Sequence, residues 1–294
     1  MTTITNLVDQ IDRDLFVHYA RPIFDTPAAS YTSGATTVLL ATVDTLAPGA
    51  VLDAGFELMY VTAFNEATRT ATVIRGFLGT TAVAGTTTTM VRINPRFPSI
   101  GILDTVTEEL RSWDERLFAV ALESLSFAAH ETAVLASPTR PPYRLLYARP
   151  QPYTTYDVRT QVNAVLHRNQ PTGQFATGYA VQIAEPFGAA TTVDVAYALP
   201  FNLATLSATT ELQATHGLTD GMVEVLKWGA LHRMVSGKEA PRLDPQTYGR
   251  PDVAQAYPAQ ALLQAGAQYG RMRDLAYDRE AKKLMAQWPV RFAG

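Results

Sequence analysis

ELMYVTAFNEATRTATVIRGFLGTTAVAGTTTTMVRINP, residues 57–95, is the stretch on which the reading of this chain turns. Leu58, Tyr60, Val61 and Phe64 suit a strand and show no helical spacing, and Asn65-Glu66-Ala67-Thr68 is polar enough to turn. Thr70 to Ile74 then predicts a second strand. Arg75-Gly76-Phe77-Leu78-Gly79-Thr80-Thr81 follows, with two glycines able to take positive φ without a Cβ clash. Thr89 to Ile93 predicts a third strand, stopped by Asn94-Pro95.

Working outward, Ile4, Leu7, Val8, Ile11, Leu15 and Phe16 recur at helical spacing, with Asp9, Asp12, Arg13 and Asp14 mostly on other faces. This predicts an amphipathic helix that ends before Arg21-Pro22. Thr37 to Thr42 and Val51-Leu52, around a Pro48-Gly49 turn, add strands, so the segment from Ala35 to Pro95 predicts a small barrel or sandwich. Ile102, Val106, Leu110 and Trp113 form one helical stripe, which predicts a connecting helix over 99–116 with Ser99 as its N-cap. Strands are then predicted at Phe118 to Phe127, Arg144 to Ala148, Tyr156 to Asn163, Gly178 to Ala184 and Thr192 to Leu199. Pro138 to Pro142 and Arg149 to Tyr153 are assigned to loops, because proline cannot donate to a central ladder.

Beyond residue 208 the pattern is helical. Thr219 or Asp220 caps a helix through Met222, Val225, Leu226 and Trp228 that is expected to stop at Gly237. A long helix is expected from near Pro258 to Pro289, with Leu262, Ala265, Tyr269, Met272, Ala276, Leu284 and Trp288 as its apolar positions. The expected class is α+β and multidomain: an N-terminal helix (1–22), a small β-barrel or sandwich module (23–98), the connecting helix (99–116), a middle β-sandwich-like domain (117–207) and a C-terminal helical hairpin or bundle (208–294).

The wording E-x-x-Y-V-T (from Glu57), V-x-R-G-x-x-G-T-T-A (from Val73) and V-x-x-N-P-R-F (from Val91) resembles a segment of the head-to-tail connector, or adaptor, proteins of tailed bacteriophages. The likeness covers residues 57–97, with weaker support from Glu108-Glu109-Leu110, and the terminal helices are similar in outline. The chain departs from the family pattern at Val83-Ala84-Gly85, where a histidine follows the small residues in the family. The resemblance implies a β-module preceding a domain that ends in helices. It further implies a structural protein of the virion neck, made in the host cytoplasm, that joins portal to tail. The implied partners are the portal protein, another neck or tail protein, and other copies of the chain in a ring of about a dozen. It also places DNA near the ring lumen.

Composition narrows the alternatives. Of 294 residues 47% are hydrophobic and 17% charged, which suits packed domains. A net charge of −3 gives no global reason for nucleic-acid binding. Cysteine is absent, which removes disulfides, thiolate metal sites and a cysteine nucleophile. No apolar run reaches membrane-spanning length and the N-terminus lacks a signal pattern, so the expectation is a soluble chain with no membrane partner.

Candidate chemistry yields to structural readings. Gly76 to Thr81 lacks the lysine and following helix of a phosphate loop and reads as a turn. His18, His130, His167, His216 and His232 are scattered without ligand spacing, so no metal is assigned. No G-x-S-x-G occurs, and Glu108-Glu109 reads as a solvated helix face. The reading is therefore not an enzyme, with no catalytic residue and no cofactor.

From position 271 onward six cations stand against three anions, a net +3, leaving −6 on the first 270 residues. That basic stretch and its terminal aromatics read as a docking surface, as does the Phe77-Leu78 pair. The candidate interface residues are Phe77, Leu78, Arg271, Arg273, Trp288 and Arg291. The alternative is a tail or baseplate component whose middle β-domain binds carbohydrate through Tyr143, Tyr147, Tyr153, Tyr156 and Tyr179.

Overall fold

A computed structural model describes residues 2–15, 23–127, 132–135, 140–151, 162–184, 191–201, 210–239 and 261–288. The chain is α+β, with antiparallel sheets and five helices among the described residues. Contacts group it into two compact units: Met1–Glu109 with Thr205–Leu212 and Val223–Asp274, and Leu110–Ala204 with Gln213–Met222 and Leu275–Gly294.

The first unit is built on α1 (Ile4–Leu15), β1 (Ile23–Asp25), β2 (Thr37–Leu39), β3 (Val51–Ala54), β4 (Glu57–Asn65), β5 (Thr70–Ile74) and β6 (Val91–Ile93). The strands make one antiparallel sheet in the order β1-β6-β3-β4-β5-β2. Its core is Val38, Leu40, Leu52, Met59, Val61, Ala71, Val73, Val91 and Ile93, and the inward positions of β5 alternate with outward Thr72 and Ile74. A register shift between Val61 and Ala63 bends β4, as a bulge does. The sheet curls until its edges meet: Pro27 and Leu40 form a bridge, and Asp25 accepts from the N–H groups of Thr42 (3.1 Å) and Val43 (3.0 Å). Burial pushes the Asp25 carboxyl up, but these hydrogen bonds hold it below the ordinary carboxylate value. Gly55 (φ 60) and Phe56 (φ 70) join β3 to β4 with the doubly left-handed geometry of a type I′ hairpin.

α2 (Ser99–Arg111) is shorter than the expected 99–116. It ends because Trp113 turns inward to meet Phe201 edge-on at 5.4 Å, while the Asp114 carboxylate accepts from Tyr277 and Arg116. Ser99 is its first helical residue rather than its N-cap. The Pro98 carbonyl takes the first helical bond, from Ile102 N–H, and the Ser99 hydroxyl donates to Asp53 Oδ2 (2.9 Å).

In the second unit β7 (Ala119–Phe127), β8 (Thr132–Val134), β9 (Arg144–Pro150), β10 (Ala164–His167), β11 (Ala180–Ile183) and β12 (Thr191–Leu199) form two three-stranded sheets, β7-β12-β9 and β10-β11-β8. Leu125, Phe127, Leu135, Val181, Ile183, Val193, Val195 and Tyr197 share one core between them. Arg149 and Pro150 belong to β9 rather than to a loop; β9 is an edge strand, where a proline at the end removes no ladder bond. β8 and β10 have no counterpart among the expected strands, and most of the strand expected over Tyr156 to Asn163 lies outside the described residues, as do Pro138 and Thr139 of the first proline joint.

The remaining helices are α3 (Leu212–His216), α4 (Asp220–Glu239) and α5 (Ala261–Gln287). Thr219 caps α4, its hydroxyl accepting from Met222 N–H at 3.2 Å. α4 runs through Gly237, the expected stop, to Glu239. Within the first unit α4 and α5 lie antiparallel: Trp228 stacks on Tyr269 (5.7 Å), and Ser236 and His232 crowd Gly266 and Gly270. A Cβ at Gly266 would come within 2.7 Å of Ser236 Oγ, so the close approach depends on glycine there.

Candidate functional site

The loop after β5 is anchored by an ion pair. Glu57, the first residue of β4, is 0% exposed. It takes a bidentate pair from Arg75, Nε to Oε1 and Nη2 to Oε2, both at 2.7 Å. The N–H groups of Gly76 (3.0 Å) and Val83 (2.9 Å) complete its shell, so one carboxylate clamps both ends of the loop. Arg75 spends its other donors on carbonyls: Nη1 on Thr32 (2.8 Å) and Ala35 (2.9 Å), and Nη2 also on Val83. All five guanidinium N–H groups are thereby satisfied. The guanidinium also lies over the Tyr31 ring, 5.1 Å from its centroid. Tyr31 in turn exchanges both backbone hydrogen bonds with Gly85, where any Cβ would enter the tyrosine ring.

Burial alone would raise the Glu57 carboxyl, but Arg75 and the two backbone donors outweigh it and hold the group below its ordinary value. The hydrogen bonds to Glu57 lift Arg75 further. The clamp stays fully charged at neutral pH.

What the clamp presents is the tip. Phe77 lies against the Tyr60 ring at 5.1 Å, and the Thr80 hydroxyl donates to the Phe77 carbonyl (2.9 Å) while accepting from Leu58 N–H (3.0 Å). Between them Leu78 stands 77% exposed at φ 55, a left-handed conformation that costs an L-residue about 1–2 kcal/mol. Gly76 (φ 63) and Gly79 (φ 80) flank it, and they are not equivalent. A Cβ at Gly76 would lie 2.8 Å from the Thr80 carbonyl oxygen, whereas one at Gly79 meets nothing within 4 Å. Gly76→Val is therefore expected to cost about 2–3 kcal/mol and Gly79→Val about 1 kcal/mol. Urea denaturation of the two variants checks the order; equal midpoints would contradict it.

The other candidate interface residues belong to α5 and the chain that follows it. Arg271 is exposed. Arg273 is engaged within the first unit: its Nε donates to Glu109 Oε1 (2.8 Å) and its Nη1 to Asp274 (3.0 Å). Arg233 holds the other Glu109 oxygen at 2.8 Å. Glu109 is thus 1% exposed, which corrects its reading as part of a solvated face; only Glu108 is exposed. Trp288, in the second unit, stacks on Tyr147 at 5.8 Å. Arg291 lies outside the described residues.

The His232–Ser236 pair invites comparison with a nucleophile and its base, but His232 Nδ1 is 2.8 Å from the Gly266 carbonyl and must donate to it. The same nitrogen cannot then take the Ser236 proton, so the pair has no base. His167 bonds Gln182 at 2.7 Å. Among the described residues no group of three or more His, Asp or Glu is placed to hold a metal ion, and no helix is long and apolar enough to cross a membrane. Tyr143, Tyr147 and Tyr179 are half-buried, and Tyr153 and Tyr156 fall outside the described residues. Sequence reasoning missed the Glu57–Arg75 pair as a unit. Its signal was one acid and one base, 18 positions apart, at the open ends of the paired strands β4 and β5, which carry no other charge. No protein-family model matches the chain, and no curated protein matches it.

Proposed function

We propose that this chain is a structural subunit of the neck of a tailed bacteriophage, assembling into a ring between portal and tail. The observation that carries the reading is Leu78: a large apolar residue held in left-handed backbone, fully presented, on a loop whose base is immobilised by a buried ion pair. Strain of this kind persists only where the surroundings enforce it, and it clusters at functional sites. In an isolated subunit Leu78 brings cost without burial; against another subunit it supplies an apolar anchor on a pre-organised loop, which lowers the ordering cost of association. The residues around it, Arg75-Gly76 and Gly79-Thr80-Thr81, carry the likeness to connector proteins. The mechanism is mechanical: each subunit offers one patch to a different patch on its neighbour, and the rotation between them closes the ring. The tail or baseplate alternative gains nothing from the tyrosines, since Tyr147 is stacked on Trp288 and Tyr179 packs against the core of the two small sheets.

Native mass measurement of the wild type and Leu78→Gly tests the reading. Glycine relieves the strained φ, so the variant is expected to melt no lower than wild type, while its assembly weakens at least about tenfold. A wild-type chain that stays monomeric, or a variant that assembles normally, would count against the ring or against the loop as its contact.

A further inference from the structure

A second charged cluster lies elsewhere in the first unit, and the loop contact leaves it unexplained. Arg92 on β6 sits directly opposite Asp53 on β3, on the sheet face turned away from the Leu52–Ile93 core. α1 brings two more carboxylates to it: Asp9 Oδ1 is 2.8 Å from Arg92 Nη2, and Asp12 Oδ2 is 3.0 Å from Nη1. Three carboxylates thus surround a single guanidinium. Asp53 is 1% exposed; its Oδ2 accepts from the N–H (2.8 Å) and hydroxyl of Ser99, but its buried Oδ1 has no hydrogen-bond partner. An orphaned buried carboxylate oxygen is costly and calls for a donor. Beside it opens a cavity of about 230 Å³ whose walls include Val8, Phe56 and Met90, the last 54% exposed at the rim. The site therefore offers an anionic end and an apolar wall, the complement of a cation on an alkyl stem.

The chain carries such a group on α5. Arg271, Leu275 and Lys282 fall within about 40° of one another on the helix. All three are exposed, Leu275 to 69%, on the stretch that holds the chain's positive excess. We propose that the Asp53 pocket receives a cationic side chain from this α5 face of a second copy of the chain. The contact is heterologous, pocket to helix, and propagates from copy to copy. The inference deepens the ring reading and rests on it, by naming a contact through which copies join.

Three proteins test it by sedimentation velocity and native mass: wild type, Met90→Arg, and Arg271→Glu with Lys282→Glu. Met90→Arg puts a cation at the rim of each copy's own pocket; the double variant removes the incoming cation. Each variant alone is expected to melt like wild type and to stay monomeric where wild type assembles. Mixed, they are expected to form a 1:1 dimer and stop, because one retains only the helix and the other only the pocket. Asp53→Asn, which keeps the shape, is expected to weaken assembly about tenfold or more and guards against misfolding of Met90→Arg. Wild-type assembly unaffected in all variants overturns this contact while leaving the ring reading intact. A monomeric wild type overturns the ring reading first, and this contact with it.

Discussion

Arg75→Ala is expected to destabilise the first unit by about 3–5 kcal/mol, the range for breaking a buried pair while leaving its partner charged. Glu57 has no exposed surface and would keep only the N–H groups of Gly76 and Val83, while the carbonyls of Thr32, Ala35 and Val83 would lose their donor. The pair joins two central strands, Glu57 on β4 between β3 and β5 and Arg75 at the end of β5 between β4 and β2, so the loss is felt across the sheet. The pH dependence gives a second signature. The folded carboxyl lies below its ordinary 4.5, so its stabilisation is present above that value and lost as pH falls through the folded value. In Arg75→Ala only the Gly76 and Val83 N–H groups still oppose burial, so the folded value rises and this pH dependence weakens. Urea midpoints measured between about pH 3 and 7 read both effects. A variant with wild-type midpoint and wild-type slope would show that the clamp is ornamental.

The Glu109 cluster is expected to respond asymmetrically. Replacing both Arg233 and Arg273 with alanine strands a carboxylate that is 1% exposed, at an expected cost of about 3–5 kcal/mol. Glu109→Gln should cost less, about 1–2 kcal/mol, because both arginines are partly exposed and can hydrate. Gly229→Ala tests the same contact sterically: its Cβ would lie 2.3 Å from Glu109 Cδ, so α2 and α4 could not keep their spacing. Denaturation midpoints of the three variants check the ranking; a glutamine variant as damaged as the double alanine would refute the argument from exposure.

Much of the β-module was legible because its signals are local. The alternation of Ala71 and Val73 with Thr70 and Thr72 records which face is buried, since successive side chains point to opposite sides. Gly76 and Gly79 announced positive φ, and both have it, because a residue without Cβ takes that conformation freely. The stripe of α1 and the cap at Thr219 were readable for the same reason: partners three or four positions apart. Gly237 misled because its cost in a helix is only about 1 kcal/mol, less than the packing of α4 against α5 returns. The candidate site was half visible: Leu78 at the tip was chosen for its apolar character, but nothing local revealed that Arg75 beside it would be buried.

The sequence by itself determined where the chain turns, which side of each strand is apolar, and where helices begin, because those choices rest on neighbours within a few residues. Only the tertiary structure decided what its charges do. Asp53 and Arg92 meet across a ladder, Asp9 and Asp12 reach them from α1, Glu57 closes on Arg75, and Glu109 collects arginines from two distant helices. A carboxylate on a helix or strand reads as solvated until something distant covers it. Whether it is exposed, clamped or left with an orphaned oxygen depends on which groups long-range folding brings within about 3 Å, and residue order does not encode that distance.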